Sequence, residues 1–264
     1  LMADTIIVFT NIDSGIASGN VTLVQKGQII NANRIEYKKD KSQDGVSYKA
    51  IGNVIIKDST RVATCGLAKY DRENERTILE LEPEIKENNR LLAGTKITLA
   101  YEQEKLKKLY IPKNAYAITP IRGYQASLID SNQVGDSLRF NDKMEGTSLL
   151  GFFENGKLDS LRIEGMAKTL YHIFEDSIYQ GKNNASGDTI AISFYNNDLS
   201  TISVIGGSEG KYIPDSLSDG NEYPVTYKAS RIKYHLQNDE SDFDGNVNIC
   251  LLYTSDAADE ACCV

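Results

Sequence analysis

Apolar residues recur at every second position along this chain, in short bursts, and almost nowhere at the spacing of a helix. Leu79-Glu-Leu81-Glu, Ile97-Thr-Leu99-Ala-Tyr101, Leu161-Arg-Ile163-Glu and Ile190-Ala-Ile192-Ser-Phe194 all follow the pattern. Successive side chains of a strand point to opposite faces, so each burst is the signature of a strand with one buried face. Charged or Asn/Gly-rich turns separate the bursts, among them Asp71-Arg-Glu-Asn-Glu-Arg76, Glu154-Asn-Gly-Lys157 and Asn196-Asn-Asp198. The best helical candidate, residues 101–109, has few apolar positions and runs straight into a strand-like stretch ending at Pro112. The chain is expected to be all-β.

The strands also repeat. One unit consists of a small residue, two polar positions and an apolar-x-aromatic end. It occurs as Ala32-Asn-Arg-Ile-Glu-Tyr37, Gly187-Asp-Thr-Ile-Ala-Ile-Ser-Phe194 and Ala229-Ser-Arg-Ile-Lys-Tyr234, with looser copies at Gly66, Gly94 and Gly146. A second element, Gly-Asn-Val, recurs at Gly19, Gly52 and Gly245. The spacing is irregular, so the array is degenerate rather than a strict solenoid. Strand pairs that each bury one face need neighbours to complete a core. The expected fold is an elongated β-jellyroll or solenoid-like stack of antiparallel strands, in two facing sheets with an apolar interior. At roughly 4.8 Å per strand, about 20 strands shared by two sheets would stack to about 45–50 Å. Its edges are expected near residues 16–24 and 232–249, where backbone groups would be left unpaired.

The expected organisation is a lead-in at 1–18, repeats at 19–120, a polar connector at 121–143 and a second, incomplete array at 144–249. Residues 250–264 stand apart. Cys250-Leu-Leu-Tyr-Thr-Ser255 can be back-translated as TGT CTC TTA TAC ACA TCT, which resembles a transposon-end adapter of short-read sequencing carried into the reading frame. This tail is expected not to be native and is set aside, as is the question of a signal peptide ahead of Leu1. Removing it takes away Asp256, Asp259 and Glu260 and no basic residue, so the net charge of −8 becomes −5. It also takes away every cysteine but Cys65, so no disulfide framework can be read.

An acidic chain is a poor nucleic-acid binder, and no such partner is expected. No run approaches the roughly 18 apolar residues of a membrane-spanning helix. His172 and His235 have no Cys or His neighbours at ligand spacing, so no metal or cofactor is expected. No Gly-x-Ser-x-Gly elbow occurs, and Gly206-Gly-Ser-Glu-Gly210 lacks the Lys-Ser/Thr of a phosphate loop. His172, in Leu170-Tyr-His-Ile-Phe174, is expected to be structural. The cluster Lys105, Lys107, Lys108 and Lys113 is expected to be a solvated strand edge. Nothing points to an enzyme.

The ordered recurrence of Gly-Asn-Val, Ala-Asn-Arg-Ile-Glu-Tyr and Gly-Asn-Val-Ile-Ile resembles the OstA-like family, the β-jellyroll module of lipopolysaccharide transport. The first half is similar to the LptA/LptC type of module. The second half, with Phe153-Glu-Asn-Gly-Lys-Leu-Asp-Ser-Leu-Arg-Ile-Glu-Gly165, looks like larger OstA-like proteins, and the resemblance runs from about Gly19 to Ile249. It implies a periplasmic protein, associated with the outer membrane if an LptD-like barrel follows, that passes lipopolysaccharide along an apolar groove. The implied partners are lipopolysaccharide acyl chains and LptC-like or LptD-like modules joined by edge-strand pairing.

The alternation supplies the groove candidates: Val21, Leu23, Ile35, Tyr37, Val54, Ile56, Leu79, Leu81, Ile97, Leu99, Tyr101, Leu109 and Ile111. The second array adds Leu161, Ile163, Ile190, Ile192 and Phe194, with Ile202, Val204, Ile232 and Tyr234 on the same inward set. Alternation by itself fits a dry, sealed core at least as well, as in a structural repeat of an adhesin or surface layer. A polysaccharide-active β-solenoid enzyme is a further alternative, although clustered acid/base carboxylates are missing. Only the resemblance points to a ligand.

Overall fold

The computed structural model describes residues 1–25, 27–39, 46–87, 89–123, 129–130, 133–134, 138–196, 198–215, 223–238, 240–251 and 262–263. Among these, all regular structure is β-strand and the ladders run antiparallel. The chain forms two compact units. One is built from Leu1–Tyr116 and Ser148–Asp159, the other from Ala117–Thr147 and Ser160–Val264.

The Gly-Asn motif explains the architecture. Gly19 and Asn20 both take left-handed backbone, with φ of 78° and 45°, and so do Gly52 with Asn53 and Gly245 with Asn246. L-residues avoid this region, Gly is indifferent to it, and Asn tolerates it best of the rest. Two such residues in a row turn a strand through a corner, and the ladder register jumps there, between Ser18 and Val21 and between Ile51 and Val54. Gly165-Met166 and Gly206-Gly207 make the same corner without Asn. Each long strand thus lies half in one layer and half in the facing layer. Tyr227 and Tyr234 of Val225–His235 prove the fold-over: their hydroxyls stand 2.8 Å apart. Seven residues along a straight strand would hold them about 23 Å apart on opposite faces.

The two recurrent sequence elements are the two sides of one corner. Asn33, the polar residue after the small Ala32, sits beneath Gly52 of the next strand, and a Cβ on Gly52 would lie 2.7 Å from its Nδ2. Thr147, Asp188 and Ser230 occupy the same place beneath Gly165, Gly206 and Gly245. Backbone bonds seal the contact, from Thr147 N–H to Gly165 O at 2.9 Å and from Ser230 N–H to Gly245 O at 2.6 Å.

In the first unit, Thr5–Phe9, Ser14–Gln25, Gln28–Lys39, Val46–Lys57 and Arg61–Asp71 pair in sequence. Beyond them the corner is made between separate strands. Arg76–Glu80 and Glu84–Glu87 both pair with Arg61–Asp71, and Lys96–Glu102 and Arg90–Ala93 continue the two layers. The helical candidate is strand, in keeping with the all-β expectation, and two other expectations are corrected here. Residues 101–109 are a hairpin, Lys96–Glu102 with Lys105–Ile111, turning on left-handed Gln103 and Glu104. The apolar period of two outweighs the helix-favouring Glu and Lys of that segment. The lysine cluster is not on a sheet edge, because Lys105–Ile111 pairs with Lys96–Glu102 on one side and Ser148–Glu154 on the other. Finally, the N-terminal edge expected at residues 16–24 is covered in its first part by Thr5–Phe9, which pairs with Ser14–Ser18 and lies ahead of the expected start of the repeats. Among the described residues, the part after the corner meets only a single bridge from Met2 to Thr22.

In the second unit the ladder runs from Leu138–Gly146 through Lys157–Glu175, Ile178–Tyr195 and Asp198–Pro214 to Val225–His235. Glu240–Asp244 and Asn248–Leu251 then pair with the two halves of Val225–His235. Cys250 and Leu251 of the tail join this ladder, and Cys262–Cys263 pairs with them. The rest of 250–264 lies outside the described residues, as do 124–128, 131–132 and 135–137 of the expected connector.

Candidate functional site

The alternation identifies buried residues correctly at most positions. Val21, Ile35, Val54, Ile56, Leu79, Ile97, Leu99, Leu109 and Ile111 are buried in the first unit, and Leu161, Ile163, Ile190 and Ile192 in the second. Leu23, Tyr37, Tyr101 and Phe194 are half-buried. Leu81 is the exception at 64% exposed. It and Glu82 are left-handed, with φ of 63° and 57°, and its carbonyl accepts the Gly66 N–H at 2.8 Å. Leu81 therefore occupies the corner that Gly-Asn holds elsewhere. A period of two does not survive a corner, so the residue that should point inward lies across Gly66 instead.

The interior of the first unit is closed. Its cavities measure about 30 and 40 Å³, room for a water each. A charged cluster fills one end. Arg61 Nε lies 3.1 Å from Asp58 Oδ2, its Nη1 lies 3.9 Å from Glu87 Oε1, and its guanidinium stands 5.5 Å over the Phe153 ring. Burial raises the Glu87 carboxyl above its usual range, against the pull of Arg61. Near it, Tyr48 and Tyr70 stack at 5.4 Å, and burial raises the phenols of Tyr48 and Tyr101. The expected groove residues Ile56, Leu99, Tyr101 and Leu109 border this small cavity, so in this unit they form a packed core.

The second unit is open. A cavity of about 730 Å³ lies between its layers, at the end away from the corners. One wall carries Tyr171, Ile173 and Phe174, and the facing wall Ile202, Tyr234 and Leu236. At its polar side Tyr227 donates to Asn183 Oδ1 and meets the Tyr234 hydroxyl. Burial raises both of these tyrosines. None of Leu161, Ile163, Ile190, Ile192 or Phe194 lines this space, whereas Ile202 and Tyr234 of the wider inward set do. Sequence reasoning passed over Tyr171, Ile173 and Phe174 because the run 170–174 drew attention to its histidine. The odd-numbered alternation of Thr169, Tyr171 and Ile173 was the available signal, and Phe174 lies past a shift in register.

His172 itself is structural. Asp142 Oδ1 accepts its backbone N–H at 2.9 Å and lies 2.8 Å from its Nδ1, while Phe140 packs on the ring at 5.0 Å. Burial raises the Asp142 carboxyl, and the bonds to His172 oppose it. On the outer surface, Lys143, Lys168, Lys211 and Lys228 share a concavity of about 470 Å³ with Glu145 and Glu209. Among the described residues, no group of three or more His, Cys, Asp or Glu is placed to hold a metal. None of the described residues forms a helix long and apolar enough to cross a membrane.

Residues 2–105 match the family described as LptA/(LptD N-terminal domain) LPS transport protein. This part of the chain is similar to that family. The match ends at the first residue of Lys105–Ile111, so it lies wholly within the first unit and covers none of the second. A solved structure of LptH is similar. It is described as the LptA homologous periplasmic component of the conserved lipopolysaccharide transport device from Pseudomonas aeruginosa. The likeness covers 77% of this chain and 93% of that one, at 11% identity and a TM-score of 0.30, and it adds nothing about individual residues. No curated protein matches the chain.

Proposed function

We propose that the protein is a periplasmic carrier in lipopolysaccharide transport to the outer membrane, and that it holds acyl chains in the second unit. The cavity between the layers of that unit carries this reading: about 730 Å³, walled by aromatic and aliphatic side chains and open at one end. Its size is that of a ligand pocket rather than a packing defect. Each methylene withdrawn from water contributes about 0.8 kcal/mol, so a multi-chain lipid needs such shelter at every stage of its route.

The OstA-like module supplies a means of connection. Among the described residues Thr5–Phe9 pairs on one side only, and Ile6, Ile7, Val8 and Phe9 are 45, 49, 57 and 38% exposed. A strand with a free ladder and apolar side chains on both faces is a template for strand addition by another jellyroll, LptC-like or LptD-like. The closed interior of the first unit favours a second reading for that unit alone, a structural adaptor without a ligand.

A photocrosslinking residue at Ile173 or Phe174 is expected to capture lipopolysaccharide, and one at Ile35 or Ile97 is not. Absence of labelling at both cavity positions would remove the carrier reading. Replacing Ile6 and Val8 by Lys is expected to abolish association with a jellyroll partner while leaving lipid capture intact.

A further inference from the structure

The cavity of the second unit runs along residues 169–175 of Lys157–Glu175. Thr169, Tyr171 and Ile173 occupy successive inward positions, followed by Phe174 and Glu175 at the hairpin. Six residues of strand span about 20 Å, so the space is long enough for an extended chain. Its two ends differ. The deep end has Thr169, only 6% exposed, whose hydroxyl has no hydrogen-bond partner among the described residues. The mouth has Glu175, Asp176 and Glu240, and the lining contains no Lys or Arg among the described residues. Its histidine, His235, faces a carboxylate of its own, with Nε2 2.9 Å from Asp242 Oδ2. The aromatic faces of Tyr171, Phe174 and Tyr234 complete a surface that attracts positive charge.

We infer that this cavity selects, among amphiphiles, those whose polar end is a cation, with the chain toward Thr169 and the ammonium among Glu175, Asp176 and Glu240. The inference rests on the reading that the cavity takes apolar chains, and it adds which head group the mouth accepts. An anionic head at the same place meets three carboxylates and no compensating cation. A phosphorylated lipid therefore enters by its chain alone, with its phosphates held outside the mouth or neutralised by divalent cations. Thr169 offers a hydrogen bond to any polar atom that reaches the deep end, and left empty it is a buried group without a partner, which is costly.

The test compares dodecylammonium, dodecanol and dodecanoate, each below its micellar concentration, binding to the full chain by calorimetry. The ammonium is expected to bind at least about tenfold tighter than the carboxylate at about 0.02 M salt. The ratio should fall toward about twofold at about 0.5 M, since exposed charges are screened. The triple variant Glu175→Gln, Asp176→Asn, Glu240→Gln is expected to level the series without changing dodecanol affinity, and Ile173→Trp to block all three ligands. Equal affinities, or a carboxylate that binds best, would overturn the charge selection while leaving the cavity reading in place. Failure of all three ligands to bind, or binding unaffected by Ile173→Trp, would overturn both.

Discussion

The two units use the same corner and the same alternation, yet one is closed and the other open. In the first unit the space between layers shrinks to about 30 Å³ where Arg61, Asp58 and Glu87 meet Phe153. In the second, the corresponding space between layers measures about 730 Å³, and its mouth residues Glu175, Asp176 and Glu240 have no basic counterpart in the lining. The corner fixes how far apart the layers start. What fills the far end decides whether a core or a pocket results. Buried side chains of opposite charge draw that end together, whereas like charges around a mouth have no reason to close it.

The largest expected effect sets Ile97→Ala against Ile173→Ala. Ile97 is fully buried in a packed interior, so its truncation leaves a hole and should cost about 2–5 kcal/mol in urea unfolding. Ile173 already borders open space, and its truncation should cost about 1 kcal/mol or less. Comparable losses would show that the second unit closes up in solution.

Arg61→Met sharpens the comparison at the other end. It removes one of the two guanidinium groups that face Glu87, whose side chain is 6% exposed, and leaves Arg90 as the other. A loss of about 2–3 kcal/mol is expected, the usual cost of breaking a buried pair reduced for the partial exposure of Arg61. Adding Glu87→Leu should restore most of it. If the cluster is what keeps lipid out, a photocrosslinker at Leu99 is expected to label with acyl chains in the double variant and not in the parent.

A smaller effect tests the corner shared by both units. Gly52→Ala places a Cβ 2.7 Å from Asn33 Nδ2 at a φ of 77°, and should cost about 1–2 kcal/mol. Gly27→Ala, at a φ of 74° with nothing within 4 Å, carries only the backbone penalty, about 1 kcal/mol. Equal melting temperatures for the two variants would show that the Asn33 contact yields freely.

The smallest effect is in the pH profile. Burial raises the Glu87 carboxyl above its ordinary value of 4.5. Its contribution to stability is therefore full below that value and is lost as pH rises through the folded-state value. Glu87→Gln does not titrate, so the variant should gain on the parent between acid and neutral pH. A difference independent of pH would mean that the carboxyl is not desolvated.

Much of this was legible beforehand. Ile97 and Leu99, or Ile190 and Ile192, declare their burial by spacing alone, because a strand in a two-layer fold has one wet and one dry face. Gly-Asn-Val was visible as a recurrence but not as a corner, and its pairing with Asn33, Thr147, Asp188 and Ser230 was not legible, since the two halves lie on different strands. Leu81 was misread for the same reason, because its left-handed corner carries no glycine to announce it. The edge was placed at residues 16–24 because nothing local distinguishes an edge strand from a covered one. Only the pairing of Thr5–Phe9 with Ser14–Gln25 does so.

The sequence by itself determined strand, face and corner, because each of these depends on residues within two or three positions of one another. The tertiary structure alone decided which interior is sealed. Arg61, Asp58, Glu87 and Phe153 come from three strands and a turn, and Tyr171, Ile202, Tyr234 and Glu240 from four separate strands. Alternation gives every inward residue the same signature whether or not another side chain reaches across to meet it. The width of the gap is a property of two layers together, and neither layer encodes it alone.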